Sequence, residues 1–455
     1  MTLLEAAALL RARKISSTEL VEESLRRITA LEPQLHAFIT VTADAAVAAA
    51  RNADEDLARG IDRGPLQGIP VAIKDVFLTR GVRTTAGSKL FVDYVPDHDA
   101  AVVERLARAG AVIIGKTNMH ELAYGITSAN PYFGAVRNPW NPGCLPGGSS
   151  GGSAVAVAAG MALAAIGTDT GGSIRIPASF CGITGLKPTY GRVSRYGVLP
   201  LDFAMDHIGP LAGSVRDCAA VLEVLAGRDS RDETSSARPV PDFMPAAGAS
   251  LAGIRIGVPE NFYFDRIAPG VEAAVRSAAQ VAGECGATLV PVRVPDMADI
   301  NTLGRVMLLA EASAIYGQHL HRTADFGADV LALLQQGTLI PATDYVNAQR
   351  LRRVKQAEFR AVWSTADVLL APATPFTAPE SGTSTVHLGG EDEDVRLAAT
   401  RLVRGMNVLG LPSLSMPCGR DSHGLPIGLQ LMAPEFEEAR LLRVAAAVEE
   451  ALAFR

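Results

Sequence analysis

The sequence predicts one large α/β/α sandwich domain with a central mixed, mostly parallel twisted sheet. Short apolar runs typical of buried strands, at residues 71–73 and 111–114, flank a stretch with helical periodicity at residues 100–109. Strands that alternate with helices in this way indicate a largely parallel sheet that is covered on both faces. A length of 455 residues and a hydrophobic content of 48% are sufficient for one large core.

The domain is expected to have three consecutive parts. They are N-terminal helices at 1–60, a motif-bearing core at 65–225, and a second α/β part at 254–455 that completes the sheet and covers the substrate pocket. In the first part, Ser16 and Glu19 have the spacing of a capping box and precede apolar residues on one helical face. Residues 227–252 are polar and contain three prolines, which indicates a surface connection between the second and third parts.

Two further segments have a distinctive composition. Residues 154–167 form the longest apolar run, which is too short to span a bilayer and therefore predicts a buried helix. Residues 383–394 are rich in glycine and acidic side chains, which predicts a mobile loop.

Charge and cysteine content limit the classes of function. The net charge of −6 offers no basic footprint, so a nucleic-acid partner is not expected. The five cysteines are widely spaced and include no Cys-x-x-Cys pair, which argues against a disulfide framework and against a zinc site. The N-terminus lacks the pattern of a secretory signal because Glu5 interrupts its apolar stretch. These features predict a cytoplasmic protein with no membrane partner.

Three short motifs match familiar patterns without the context that those patterns need. Residues 110–117 fit the P-loop, but residues 111–114 are strand material where a phosphate cradle needs a loop. Residues 147–151 fit the Gly-x-Ser-x-Gly elbow of α/β-hydrolases, but the preceding segment contains three prolines and is not a strand. His120 and Glu121 lack a second histidine at the zincin spacing. We therefore expect no ATP site, no hydrolase elbow and no metal site.

Two Gly- and Ser-rich segments, residues 146–153 and 167–177, lie on either side of the apolar run. Glycines let backbone N–H groups approach a ligand closely and form a nest for negative charge. The second segment leads into Ser173, so its N–H groups would point at the atom that Ser173 attacks. The segment predicts a serine nucleophile whose own loop supplies the oxyanion hole. The residues assigned to that hole are Thr170, Gly171 and Gly172.

A serine nucleophile requires a base, and no histidine of this sequence stands in a recognisable catalytic setting. Lys74 closes the apolar run at residues 71–73. A lysine at the end of a buried strand is desolvated, which favours its neutral form and lowers its pKa. With a pKa of ~7–8, Lys74 could accept a proton from a serine.

The two glycine-rich segments resemble the signature of the amidase signature family. The resemblance extends over most of the chain, in blocks at residues 68–75, 118–125, 137–142, 147–153, 168–188, 407–417 and 424–430. It implies a Ser–cis-Ser–Lys triad in which Ser173 attacks the carbonyl carbon. Ser149, behind a cis peptide bond from Gly148, passes the proton to neutral Lys74. An acyl-enzyme forms and water hydrolyses it, with no metal or organic cofactor.

The expected reaction is hydrolysis of the C–N bond of a small neutral aryl or alkyl amide by a stand-alone amidase, with release of ammonia or an amine. Carbamate, anilide and ester hydrolysis on the same triad are alternatives. The expected partner is a small-molecule amide, bound by a monomer or homodimer. The expected pocket is apolar, and its candidate residues are Met119, Leu122, Tyr124, Ile126 and, in the segment 300–345, Leu331 and Leu334.

Two alternatives belong to other classes. One of them, the first subunit of a glutamine-dependent amidotransferase within a tRNA-modifying complex, shares the fold and triad. The resemblance implies that such an amidotransferase chain grips glutamine with an acidic residue seven positions before Asn407 and with an arginine. Here those positions are Thr400 and the neighbourhood of Ala332 and Leu333, which favours the stand-alone amidase. A non-catalytic binding protein is disfavoured because all three triad positions are intact.

Overall fold

The apolar runs of the sequence form the strands of the structure. The computed structural model describes residues 1–454. Its strands are β1 (Phe38–Val41), β2 (Pro70–Lys74), β3 (Val112–Thr117), β4 (Ala129–Asn130), β5 (Gly134–Ala135), β6 (Ala164–Asp169), β7 (Thr184–Lys187), β8 (His207–Ala212), β9 (Arg255–Pro259), β10 (Thr288–Val292), β11 (Val368–Pro372), β12 (Thr385–Leu388), β13 (Glu391–Asp394), β14 (Ser413–Arg420) and β15 (Pro426–Met432). Every residue is buried in β2, β6, β8, β11 and β15, as expected for strands that are covered on both faces.

The helices occupy the stretches between the strands. They are α1 (Leu3–Arg11), α2 (Ser17–Leu35), α3 (Ala43–Ala58), α4 (Ala101–Arg108), α5 (Gly151–Ala158), α6 (Arg175–Cys181), α7 (Val215–Leu225), α8 (Pro269–Glu284), α9 (Met297–Tyr316), α10 (Ala328–Gly337), α11 (Ala342–Arg360), α12 (Val395–Arg401), α13 (Arg404–Leu409) and α14 (Glu438–Leu452). Helix α2 begins at the predicted capping box, in which Ser16 and Glu19 each accept a hydrogen bond from the backbone of the other.

Eleven strands form one mixed sheet in the order β1-β3-β2-β6-β8-β7-β14-β15-β11-β9-β10. Parallel pairs join β3 to β2, β2 to β6, β11 to β9 and β9 to β10. Antiparallel pairs join the strands between β6 and β11 and attach β1 at one edge. The predicted single α/β domain with a mixed central sheet is confirmed.

Helices cover both faces of this sheet. In β2, Val71 and Ile73 belong to one buried cluster and Ala72 to another, because successive residues of a strand point to opposite faces. The first cluster includes side chains of α1, α4, α7, α8 and α14, and the second includes those of α2, α3, α5 and α6. The layers therefore form the predicted α/β/α sandwich. A third buried cluster joins α9, α11 and α13 beside the strand β11.

Three neighbouring parallel strands bring polar side chains to one edge of the sheet. Strand β2 ends at Lys74, β3 at Thr117 and β6 at Asp169. Lys74 pairs in register with Thr117, so the carboxyl ends of these strands are level. Ligands of α/β proteins bind at this edge, beyond the carboxyl ends of the strands.

The prediction of one helix over residues 154–167 is wrong. Helix α5 ends at Ala158 and strand β6 begins at Ala164. Gly160 lies between them with a φ of 66°, a left-handed conformation that ends the helix. The run is continuously apolar because both elements are buried, so hydropathy alone could not separate them.

The prediction of a mobile loop over residues 383–394 is also wrong. These residues form the antiparallel hairpin β12–β13. Gly389 and Gly390 connect the two strands with φ angles of 60° and 86°. A two-residue turn with positive φ at both positions matches the twist of a hairpin, which is why glycine is favoured there.

The remaining predictions about organisation have different outcomes. Residues 227–252 contain no helix or strand, as expected for a surface connection. Within residues 1–454, no helix combines the length and the hydropathy needed to cross a bilayer. The division into parts at 1–60, 65–225 and 254–455 remains a prediction.

Candidate active site

Lys74 lies at the end of β2 and is completely buried. Its Nζ donates hydrogen bonds of 2.7 Å to the hydroxyl of Ser149 and of 2.7 Å to the hydroxyl of Thr168. Thr168 belongs to β6, the strand beside β2. The sheet therefore holds the amine between a loop serine and a strand threonine, as proton transfer from a serine to this lysine would require.

The electrostatic environment of Lys74 favours the neutral amine. Burial lowers the pKa of Lys74 to about 7, against the opposing effect of the charges on Asp206 and Asp169. Among the described residues, no carboxylate lies within ion-pair distance of Lys74. Its counterpart on the neighbouring strand, Lys116, is paired with the buried Asp75 at 3.1 Å. Lys116 thus has a structural partner, whereas Lys74 is left free to act as a base.

Ser149 lies in the loop that leads into α5, with no strand before it. The peptide bond between Gly148 and Ser149 is cis, as the family resemblance implied. The carbonyl of Ser149 accepts a hydrogen bond of 3.1 Å from the N–H of His120. The next residue, Ser150, binds the backbone of Thr168 through its hydroxyl at 3.1 and 3.3 Å. These contacts hold the Ser149 hydroxyl against Lys74.

Ser173 lies in the loop between β6 and α6, and its side chain faces a cavity. The N–H of Ser150 donates a hydrogen bond of 3.2 Å to the carbonyl of Ser173, which fixes the two serine loops to each other. Within residues 1–454 no hydrogen bond joins the hydroxyl of Ser173 to that of Ser149. Catalytic hydrogen bonds are often long in unliganded enzymes and shorten when substrate binds. The structure therefore brings all three predicted triad residues to one site, with the Lys74–Ser149 contact formed.

The loop before Ser173 changes the assignment of the oxyanion hole. The N–H of Gly172 donates to the carboxylate of Asp169 at 2.7 Å, so it is not available to a substrate. The backbone N–H groups of Gly171 and Ser173 donate to no other group of the described chain. The prediction of Gly172 as an oxyanion donor is thus corrected by this contact, and Gly171 and Ser173 are the free donors. Thr170 instead binds the buried Asp206 through its hydroxyl.

Asp169 and Arg175 form a buried ion pair that fixes this loop. The guanidinium of Arg175 donates two hydrogen bonds of 3.0 Å to the carboxylate, and Asn407 donates another of 2.8 Å. Burial alone would raise the pKa of Asp169, but the charge and hydrogen bonds of Arg175 and the charge of Lys187 hold it below its usual value. Asp169 consequently stays ionised and anchors the N–H of Gly172.

Replacement of Arg175 with methionine should destabilise the protein by about 3–5 kcal/mol, because it leaves the carboxylate of Asp169 buried without its charged partner. The free energy of unfolding in urea would measure the loss. The control is Arg26→Met, which removes an exposed arginine paired with Glu23 and should change stability little. An Arg175→Met variant as stable as the wild type would contradict a structural role for the pair.

The cavity beside Ser173 has a volume of about 210 Å³, which suits a small molecule rather than a polymer. Of the predicted pocket residues, Tyr124 and Ile126 line it. Met119 and Leu122 are completely buried in a hydrophobic cluster and do not reach the cavity wall. Among the residues of segment 300–345 that line the cavity are Arg305, Leu308, Leu309, Asp329 and Leu333.

The cavity is not the apolar pocket that the sequence predicts. Leu331 and Leu334 are not among its lining residues, whereas Arg305, Arg404 and Asp329 are. The expectation rests on the leucines of segment 300–345 and overlooks Arg305. Arg404 lies far away in the sequence and reaches the cavity because α13 packs against α9. No spacing pattern in the sequence marks these two arginines as neighbours.

Comparison with known proteins gives matches over nearly the whole chain. The family model named Amidase matches residues 19–442. The A chain of the glutamyl-tRNA(Gln) amidotransferase of Methylococcus capsulatus is 42% identical over 99% of this chain and 96% of that protein. Its namesake from Anaeromyxobacter sp. is 44% identical over 98% and 95%. A solved structure, described as an unexpected vestigial protein complex that reveals the evolutionary origins of an s-triazine catabolic enzyme, superimposes with a TM-score of 0.95. It is 37% identical and covers 99% of this chain and 98% of that one.

These matches overturn three predictions. The assignment to stand-alone amidases rather than to glutamine amidotransferases is wrong, since relatives of 42–44% identity carry the name of an amidotransferase subunit. The main function derived from it, hydrolysis of a neutral aryl or alkyl amide, falls with it. The expected partners, a small-molecule amide bound by a monomer or homodimer, are corrected by relatives that are subunits of larger enzymes.

The source of this error is the weight that the prediction gives to two positions. Thr400 and Leu333 replace the expected glutamine anchors, but relatives of the amidotransferase type match 98–99% of the chain. The catalytic residues agree with those relatives at the level of the family, because Lys74, Ser149 and Ser173 gather at one site. With a family match over residues 19–442, this chain belongs to the Amidase family, whose enzymes act on carbon–nitrogen bonds.

Proposed function

We propose that this chain releases ammonia from the carboxamide of a small amide, with glutamine as the reference substrate, and that it works as the amide-hydrolysing subunit of an amidotransferase assembly. The observation that carries the chemistry is the hydrogen bond of 2.7 Å between buried Lys74 and Ser149, beside Ser173. The role as a subunit rests on the names of relatives that are 42–44% identical. A cytoplasmic location is part of the proposal, as the cysteine pattern of the sequence predicts.

The first half of the reaction forms an acyl-enzyme. Ser173 Oγ attacks the carbonyl carbon while its proton passes to Ser149 Oγ, and the proton of Ser149 passes to neutral Lys74. The N–H groups of Gly171 and Ser173 stabilise the oxyanion that develops on the carbonyl oxygen. Lys74 then returns a proton through Ser149 to the amide nitrogen. The C–N bond breaks, and ammonia leaves.

The second half of the reaction restores the enzyme. Water attacks the ester carbonyl of the acylated Ser173, and its proton follows the same route to Lys74. Collapse of the second oxyanion breaks the ester bond, and Ser173 Oγ recovers its proton through Ser149. The sum is amide plus water giving carboxylic acid plus ammonia. In an assembly, the ammonia would be passed to a partner protein instead of to solvent.

The test of this function is ammonia release from glutamine, followed with a coupled glutamate dehydrogenase assay. We expect the chain alone to release ammonia slowly and to release it faster with the other subunits of a glutamyl-tRNA(Gln) amidotransferase from the same genome. A single complex in size-exclusion chromatography should accompany the faster rate. The proposal fails if glutamine is not hydrolysed under either condition, or if those subunits neither bind the chain nor change its rate.

A further inference from the structure

Two arginines face the cavity of Ser173 without a protein anion. Arg305 belongs to α9 and Arg404 begins α13. Neither guanidinium makes a hydrogen bond or an ion pair within residues 1–454, and the Nε of Arg404 is shielded from solvent without a partner. Burial, and next the charge of Arg305, lower the pKa of Arg404 to about 10. Two like charges held together in a cleft without a counterion indicate a site for a bound anion.

A third donor joins these arginines. The hydroxyl of Tyr124 is buried and has no hydrogen-bond partner in the described chain. Burial raises the pKa of Tyr124, against the opposing effect of the nearby charge of Arg404, so the hydroxyl keeps its proton at neutral pH. Buried polar groups are normally satisfied, so an unpartnered hydroxyl beside an unpartnered guanidinium indicates that a ligand completes both.

This anion site is adjacent to the reacting serine. A side-chain carbon placed on Gly171 would lie 3.4 Å from the Nε of Arg404, and Gly171 is one of the two free N–H donors of the nucleophile loop. Arg404, Arg305, Tyr124 and Ser173 line one cavity. An anion bound by the arginines would therefore be a few bonds away from the carbonyl that Ser173 attacks.

The acidic residues of the cavity do not neutralise these arginines. Asp329 accepts a hydrogen bond of 3.1 Å from His120. Asp394 caps α12 by accepting from the N–H groups of Arg396 and Leu397 at 3.0 and 3.1 Å. Neither carboxylate contributes to the electrostatic environment that shifts the pKa of Arg404, which consists of Arg305 and Tyr124. The counterion of the arginines must come from the substrate.

We propose that the amide substrate carries a carboxylate, which Arg404 and Arg305 bind with help from the hydroxyl of Tyr124. This inference rests on the proposed function and defines its substrate class: small amides with a carboxylate at the end opposite the carboxamide, a class that includes glutamine. A guanidinium suits this task because its planar set of N–H donors matches the two oxygens of a carboxylate. The arginines occupy other positions than Leu333, so the chain has a cationic anchor that the sequence pattern does not reveal.

The experiment compares two amides of equal length. Glutaramate ends in a carboxylate, and pentanamide has a methyl group in its place. We expect kcat/KM for glutaramate to exceed that for pentanamide by at least ~100-fold, because only glutaramate supplies the missing anion. Arg404→Met should lower kcat/KM for glutaramate by ~100-fold and change that for pentanamide by less than ~3-fold. Arg404→Lys, which keeps the charge, should recover part of the loss.

Controls separate this inference from folding and from the proposed function. Arg353→Gln removes an exposed arginine of α11 and should leave both rates unchanged. Arg404→Met should not lower Tm, because it removes a buried charge without a partner. If it fails to fold, exposed Arg305→Gln gives the same comparison. Calorimetric binding of glutaramate to Ser173→Ala tests the anion site even if no amide is hydrolysed. Equal kcat/KM for the two amides, or equal losses on both in Arg404→Met, would overturn the inference.

Discussion

Replacement of Ser173 with alanine should reduce ammonia release from glutamine by roughly 10⁴- to 10⁶-fold, because no other side chain can form the acyl-enzyme. The protein should stay folded, since the Ser173 hydroxyl makes no hydrogen bond within residues 1–454 that its loss would break. A fluorophosphonate reagent should label the wild type at Ser173, as read by peptide mass spectrometry, and should not label the variant. The coupled ammonia assay measures the rate.

Two other serines serve as comparisons for this result. Ser149→Ala should keep its fold and lose ~10²- to 10⁴-fold in rate, because Lys74 then has no route to the proton of Ser173. Ser236→Ala, far from the cavity, should retain the wild-type rate. Labelling at Ser149 in place of Ser173 would reverse the roles of the two serines. It would also restore the Gly-x-Ser-x-Gly elbow, which the loop before Ser149 argues against.

The parts of the site that sequence reasoning could place are those fixed by strand ends. Lys74 follows an apolar run, and a run of that length must be a buried strand, so its last residue lies at the sheet edge. Its depressed pKa then follows from burial alone. The glycine-rich loop of Ser173 could be placed in the same way, because it directly follows the strand β6.

The parts that sequence reasoning could not place depend on contacts between distant segments. Whether the N–H of Gly172 is free depends on where the carboxylate of Asp169 turns, and Arg175 and Asn407 determine that direction. The charge of the pocket depends on Arg305 and Arg404, which meet only when α9 packs against α13. Local composition reported the leucines around Arg305 correctly and still gave the wrong character for the cavity.

The neutral amine of Lys74 leads to the prediction with the clearest dependence on pH. Burial lowers the pKa of Lys74 to about 7, so the ammonium form predominates below that pH and the amine above it. Only the amine can accept the proton of Ser149. We expect kcat/KM for ammonia release to rise about tenfold per pH unit below pH 7 and to level off above about pH 8. Rates measured from pH 5 to 9.5 give this profile.

Variants distinguish Lys74 from other groups that titrate in this range. Lys74→Met should lower the rate by ~10³-fold or more and abolish the rising limb. The loss should be larger for glutamine than for the γ-methyl ester of glutamate, because ammonia must be protonated to leave and methoxide needs this less. His120 borders the cavity through Asp329, so His120→Asn is the matched control and should keep the midpoint near pH 7. A limb that survives in Lys74→Met but disappears in His120→Asn would assign the titration to the histidine and remove Lys74 as the base.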